Sequence, residues 1–386
     1  MGLRLRFAAM LPLVVAASWS FCFLPPSLGG QDAVPPSSAN DPNPLFAVKK
    51  DGKWGYIDKA GKVVIPFRYT LAGNFSEGLA PVATSERKIL GARWDRFGFV
   101  DKTGREVVPL EYMGAREFSE GLAQVFHECR HRYIDKSGEM LRLCQSGESF
   151  GCDFTREFSD GLAVIAIRVP VRNVFIMQKA EYGYVSAAGQ MVIPFQYSDA
   201  TSFSEGLAGV KVGRDWGFID KSGATIVAPQ FKEVKRFVEG LAAVKTGDKW
   251  GFIDRKGHMV IPARYQAVGS FTQGLGAVRV GGKYGFIDGT GAMVIQPQFD
   301  QASAFSEEFA AVRVGSKSGY IDKTGKMAIV PQFSDAQRFF QGLAAVKVRN
   351  KWGFIEKTGQ MVIAPQFDMV SVPLEEGPAA FLINCR

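Results

Sequence analysis

Histidine and cysteine are scarce in these 386 residues, at three and five copies, which leaves little material for metal or thiol chemistry along most of the chain. Beyond residue 24 no apolar run reaches the roughly 20 residues that a membrane-spanning helix needs. A serine elbow, a His-Glu-x-x-His pair, a phosphate-binding glycine loop and a dinucleotide fingerprint are all absent. What the chain does have is glycine and phenylalanine, 43 and 31 residues, in a composition 46% hydrophobic and 22% charged at net charge +8. That much apolar side chain can offset the ordering entropy of folding, which excludes disorder throughout.

Arg4 and Arg6 precede the apolar stretch Phe7 to Leu24, the layout of a secretory signal, assigned to residues 1–30. Either cleavage follows near Ser27 to Ala33, or the stretch, long for a signal, stays as an N-terminal anchor. Bulky Trp19 and Phe21 argue against a lipid-modified Cys22. Residues 31–44, rich in Pro, Ser and Asn, read as an extended linker. Export would place the protein in the periplasm, on the cell surface or outside the cell.

From residue 45 to 386 the chain is a tandem repeat. Aromatic-Gly-aromatic-Ile-Asp-Lys-x-Gly recurs with its first glycine at Gly55, Gly98, Gly183, Gly217, Gly251, Gly285, Gly319 and Gly353, and a worn copy sits at His131-Arg132-Tyr133. From Gly183 onward every spacing is 34 residues. A second marker, Phe-Ser-Glu-Gly-Leu-Ala, stays in phase at Phe75, Phe118 and Phe203 and, relaxed, at Phe339. About nine units follow from this count. Each unit holds several glycines and a proline, which cost a helix about 1 and 3 kcal/mol apiece, so the unit is β rather than helical. Three strands are expected per unit, as in Leu241 to Thr246, Lys249 to Asp254 and Met259 to Ile261, with Asp254-Arg255-Lys256-Gly257 as a turn. The glycine of Trp250-Gly251 is expected to make room for a large side chain of a neighbouring strand.

These residues resemble the WG (KWG) repeat family: Lys-Trp-Gly-Phe-Ile-Asp-Arg-Lys-Gly at 249–257, Lys-Trp-Gly-Phe-Ile-Glu-Lys-Thr-Gly at 351–359 and Asp-Lys-Thr-Gly at 322–325 carry the likeness. The resemblance implies an all-β repeat module, mostly bacterial and often exported, with no general biochemical activity. Irregular units occupy about residues 84–181, where Arg93-Trp94-Asp95-Arg96, Gln145 to Asp153 and Arg168 to Glu181 lengthen or interrupt the pattern.

Three short strands per unit could form an open β-solenoid or a closed β-propeller. The open superhelical array is the expectation, because 34 residues are few for a propeller blade and neither end looks like the complement of the other. The first unit owns its first strand, Leu45 to Lys49, and Ala379 to Ile383 reads as an additional strand capping an open stack.

No catalytic residues and no cofactor are expected. The recurring Asp (Asp58, Asp101, Asp135, Asp220, Asp254, Asp288, Asp322) reads as a turn residue and the marker Glu as loop chemistry. Two rows carry the binding expectation. One is the aromatic column, with Trp54, Trp216, Trp250 and Trp352 as a ladder for sugars or, more plainly, as packing between units. The other is an edge of turn lysines, with Lys221, Lys323 and Lys357 as a positive rail for an anionic polymer or as a solvated edge. Cys129, Cys144 and Cys152 are disulfide candidates, free thiols, or, if His127, Cys129 and His131 share a strand face, part of a zinc site. Function is accordingly expected to be a non-enzymatic binding or scaffolding surface of the cell envelope, for protein or cell-wall glycan. The alternative is an envelope enzyme or enzyme inhibitor built around Trp94, His127 and His131. Nucleic acid is not an expected partner, and a membrane only through an uncleaved N-terminus.

Overall fold

The computed structural model describes residues 41–87, 93–128, 130–141, 154–170 and 178–371. It is a β-propeller of nine antiparallel blades, each a meander, with four strands in eight blades and three in the third. The open array is thereby overturned. Blade 1 takes its first strand from the far end of the chain: Met369–Val370 pairs with Phe46–Lys50, which continues into Lys53–Ile57 and Val63–Tyr69. Blades 2 to 9 follow in chain order, starting at Leu71, Gly114, Phe154, Asp199, Glu233, Ala267, Gln301 and Asp335.

The complement between the two ends escapes a reading of the sequence because the first strand of a blade pairs over so little length. It is two residues in Leu71–Ala72, Asp199–Ala200, Gln301–Ala302 and Met369–Val370. So short a strand lets four strands fit into 34 residues, and it occupies what looks like a connector between units. Asp368 donates its amide to the Lys49 carbonyl and Ser371 to that of Ala47, which completes the seam. The expected cap, Ala379 to Ile383, lies outside the described residues.

Each blade packs on the next through one aromatic pair. The aromatic two positions after the Trp column meets the phenylalanine of the following blade's marker: Tyr56 with Phe75, Phe218 with Phe237, Tyr320 with Phe339, at centroid distances of 4.9 Å. Where that aromatic is tyrosine its hydroxyl also donates across the seam, from Tyr56 to the Gly73 carbonyl at 2.9 Å and from Tyr320 to that of Gln337 at 2.7 Å. Space for the phenylalanine comes from the small residue on the neighbouring strand, Ala242 opposite Phe237 or Gly276 opposite Phe271. At the closing seam Phe46 stands in that alanine position, paired with Ile57 as Ala242 is with Ile253. Its ring meets Phe354 at 5.4 Å, so a side chain from the second strand fills the aromatic slot.

The glycine of the Trp-Gly pair serves backbone rather than a neighbour's side chain, a correction to the expectation. The last strand of each four-stranded blade bulges, with Trp250 opposite Tyr265 but Phe252 opposite Ile261. This carries its main chain over the glycine: a Cβ on Gly251 would lie 2.5 Å from the Ile261 carbonyl oxygen, and on Gly217 2.4 Å from that of Val227. The bulge holds the proline of every unit but the third, as in Pro229 and Pro262, and a proline in a bulged outer strand keeps blade edges from pairing with other chains.

Two outcomes follow for stability. Phe46→Ala empties the closing seam and is expected to cost about 3 kcal/mol or more, as for other buried Phe truncations, read as a lowered midpoint in denaturant. Gly251→Ala sets a methyl against backbone that cannot step aside and is expected to cost about 2 kcal/mol. An unchanged midpoint in either variant would contradict the packing described.

Candidate functional site

In an antiparallel meander successive turns alternate between the two faces of the disc. The turn face holds the links between first and second strands and between third and fourth. The hairpin face holds the links between second and third strands and the crossings from blade to blade.

On the turn face the marker is a clasp. Its Glu and Gly both take positive φ, 53° and 79° at Glu205 and Gly206, which makes a two-residue hairpin turn closed by reciprocal bonds between Ser204 and Leu207. A non-glycine residue there costs roughly 1–2 kcal/mol. The carboxylate offsets it by reaching the next blade, where it accepts the amide of the same turn: Glu120 from Gly161 at 2.8 Å, Asp160 from Gly206 at 2.6 Å, Glu205 from Gly240 at 3.0 Å, Glu307 from Gly342 at 3.0 Å. The serine does likewise, Ser76 donating to the Phe118 carbonyl and Ser204 to that of Phe237, both at 2.7 Å. The loop reading of this Glu therefore misses its main property, which is direction from one blade to the next.

The recurring Asp closes the turn beside it. Asp220 accepts the amides of Ser222 and Ala224 and the Ser222 hydroxyl, and these bonds, led by the hydroxyl, hold its carboxyl below the ordinary range. Asp101, Asp288 and Asp322 repeat the arrangement with threonine. Turn lysines share this face with the clasp carboxylates. Lys357 pairs with Glu307 at 3.1 Å, Lys323 with Glu308 at 3.2 Å, Lys136 with Glu77 at 3.0 Å and Lys102 with Asp41 at 2.5 Å. Lys221 is exposed in the same row. The row is thus interleaved with acids and is no continuous rail.

The aromatic column lies towards the hairpin face, each ring between a cation of the second strand and an aromatic of the fourth. Trp216 stands between Lys211 and Phe231, Trp250 between Lys245 and Tyr265, and Trp352 between Lys347 and Phe367. The ammonium groups stand 5.6–5.9 Å from the ring centroids. Trp54 and Trp352 are buried at 7% and 8% exposure, and Trp216 and Trp250 are half-buried.

Departures from the repeat gather in blades 2 to 4. The hairpins of blades 2 and 4 pair over nine residues, Leu79–Arg87 with Arg93–Asp101 and Leu162–Pro170 with Gln178–Ser186, against six in blade 5. In blade 3 a turn separates His127 from His131, so they do not follow one strand's alternation. His131 lies opposite Phe126 and His127 opposite Arg130, which sets the two imidazoles on opposite faces of the blade. His131 Nδ1 is 2.9 Å from Gln124 Nε2. The shared-face zinc arrangement is therefore not formed by these two histidines. Cys129, Cys144 and Cys152 lie outside the described residues, as does the Trp94 side chain.

One polar cluster had no sequence signal. It sits on the first strands, where neighbouring blades come closest to the axis. Arg116 and Arg236 flank Glu157 at 3.5 and 3.7 Å, with Ser202 donating to it at 3.2 Å. Beside them Glu117 accepts the Asn74 amide and side chain at 2.9 and 3.1 Å, yet burial outweighs both bonds and pushes its carboxyl above the ordinary range. Except for Arg116, one residue earlier, the positions are those of Ser270 and Ala304 in other blades, so only the equivalence of units could have pointed to them.

Ring, clasp and column together define a nine-bladed repeat propeller whose recurring polar groups join blade to blade. Matches to the WG-containing repeat run over residues 54–84, 97–127, 182–214, 216–250, 250–284, 284–317, 319–352 and 352–384, and the chain belongs to that family. None of the curated proteins compared with the chain matches it. Among solved structures, a eukaryotic initiation factor is similar at TM-score 0.50 and 12% identity, over 85% of this chain and 94% of that one, a likeness of fold alone. More distant are apo AztD from Citrobacter koseri, at 0.40 and 10% over 85% and 97%, and the β-propeller domain of the Trilobed protease from Pyrococcus furiosus, at 0.35 and 9% over 65% and 93%.

The shifted Glu117 gives a signed prediction. Its folded pKa is raised, so its contribution is intact below the unfolded value and is lost as pH rises through the folded one. Glu117→Gln keeps an acceptor for Asn74 and removes that loss. Its melting temperature should match the parent near pH 4 and exceed it near pH 8, whereas a variant less stable at pH 8 would contradict the assignment.

Proposed function

We propose that this protein is a non-catalytic binding scaffold of the cell envelope, engaging protein or glycan through its hairpin face. The carrying observation is the division of labour between faces. Clasp carboxylates, serines and turn aspartates of the turn face are engaged in holding the ring, whereas on the hairpin face the nine-residue hairpins of blades 2 and 4 rise above their six-residue counterparts. Repetition supplies a broad surface rather than a convergence of unlike reactive groups. The opposed histidines of blade 3 support the same reading, as His127 and His131 of the enzymatic alternative stand on opposite faces of the blade. The signal-like residues 1–30 support export.

The test is co-sedimentation of the purified protein with cell-wall sacculi at low and high salt, alongside crosslinking to envelope proteins. Saturable capture by sacculi or by a defined protein is expected, with no turnover of either. Steady hydrolysis of glycan or peptide bonds would contradict the proposal, as would capture by neither.

A further inference from the structure

The two faces differ in charge as well as in use. On the turn face, the two central residues of the eight clasp turns, from Glu77-Gly78 to Gln341-Gly342, include seven acids and no cation. On the hairpin face, the four hairpins at 279–283, 313–317, 347–351 and 49–53 carry ten Lys or Arg and one Asp. These belong to blades 7, 8, 9 and 1, which the closing seam makes neighbours, so the basic residues form one unbroken arc. Three of the ten meet acids of the blade crossings: Lys283 with Asp300, Arg313 with Asp335 at 3.6 Å and Lys351 with Asp368 at 2.5 Å. The other seven have no carboxylate partner among the described residues. In blades 5, 6 and 9 the first strand places an acid opposite the second-strand cation, as Glu233 does for Lys245. Blades 7 and 1 have Ala267 and Met369 there, opposite Arg279 and Lys49.

From this arc we infer that the hairpin face of blades 7 to 1 binds an anionic polysaccharide, a conclusion that rests on the binding-scaffold reading and names its ligand chemistry. A sector in which ten cations face four acids, Asp51, Asp300, Asp335 and Asp368, carries a net positive charge that raises the local concentration of polyanion. The cations recur two or three to a blade along a curved line, as the charges of a linear polyanion recur along its length, and some flank aromatic rings. Arg279 stands over Tyr284 at 5.7 Å and Lys347 over Trp352 at 5.8 Å. Tyr284 is half-buried and offers an apolar edge beside the charge. A bilayer is the less fitting anionic surface, because the hairpin tips Gly281-Gly282, Gly315-Ser316 and Arg349-Asn350 carry no aromatic or long apolar side chain to enter it, and the exposed apolar residues beside them, Val280 and Val314, are short. The anion-binding surface is thus on the face opposite Lys221, Lys323 and Lys357.

The probe is polygalacturonate, with neutral dextran and phosphatidylglycerol vesicles as comparisons, and binding of the full-length protein is titrated at low and high salt. Two triple variants separate the faces: R279E/K317E/R349E on the arc and K59E/K221E/K326E on the turn face, all six residues being exposed. Expected is polygalacturonate binding that weakens with salt, falls at least tenfold in the arc variant and stays within twofold in the turn-face variant, with no dextran binding. Equal losses in both variants would overturn the assignment to this face. Binding to the vesicles but not to polygalacturonate would overturn the choice of polysaccharide. Binding to sacculi or to an envelope protein, unchanged in the arc variant, would overturn this inference and leave the scaffold reading standing.

Discussion

Everything in this molecule depends on the contact from one blade to the next. A lone meander of two to nine residues per strand buries one aromatic row at best and cannot stand alone in water. The marker phenylalanine resolves this by entering the neighbouring blade, and the Ser-Glu-Gly turn beside it adds two bonds to the neighbour's backbone. These contacts all run in one direction, so a linear stack would leave one end unmet. Closure removes that end. Phe46 against Phe354 and the Met369–Val370 strand against Val48 and Lys49 supply the last seam from the two ends of the repeat array.

Much of this is legible in the sequence, because the period and the chemistry of the turn are local. Gly55 to Gly353 mark the strands, and the Asp turns form as their Asp-Lys-x-Gly spelling implies. The global topology is not local. Whether repeats close depends on a small rotation per unit and on a two-residue strand at the far end, neither of which leaves a hydrophobic pattern. The same limit explains the rest. The marker glutamate acts on an amide about 35 residues away, and the two histidines of blade 3 are separated by a turn that resets strand alternation. Glu157 gains its partners only because blades 3, 5 and 6 bring Arg116, Ser202 and Arg236 to it.

Repetition also separates residues held by packing from those available to the proposed binding role. A residue kept at the same place in blade after blade is answerable first to packing, as the Trp column, the clasp glutamates and the turn aspartates are. Residues free of that duty lie on the hairpin face, where the hairpins of blades 2 and 4 lengthen and where cations outnumber acids in blades 7, 8, 9 and 1. The outcome is a disc with an acidic, structurally occupied face and a basic, variable one. Assigning the turn lysines to a rail follows from their spacing alone; the carboxylates that neutralise them come from other turns of the same face and, for Lys102, from Asp41.

The most direct test of ring closure is hydrogen exchange at the seam. In the closed ring the Asp368 amide is bonded to Lys49 and that of Ser371 to Ala47, as Ser334 is to Lys347 within blade 9. Local opening of a native element sets the protection of its amides. Closure predicts that Asp368 and Ser371 are protected to the degree of Ser334, and that Phe46→Ala lowers protection at the seam first. Exchange of Asp368 and Ser371 at the rate of free peptide, with Ser334 still protected, would show the ring to be open and contradict the account.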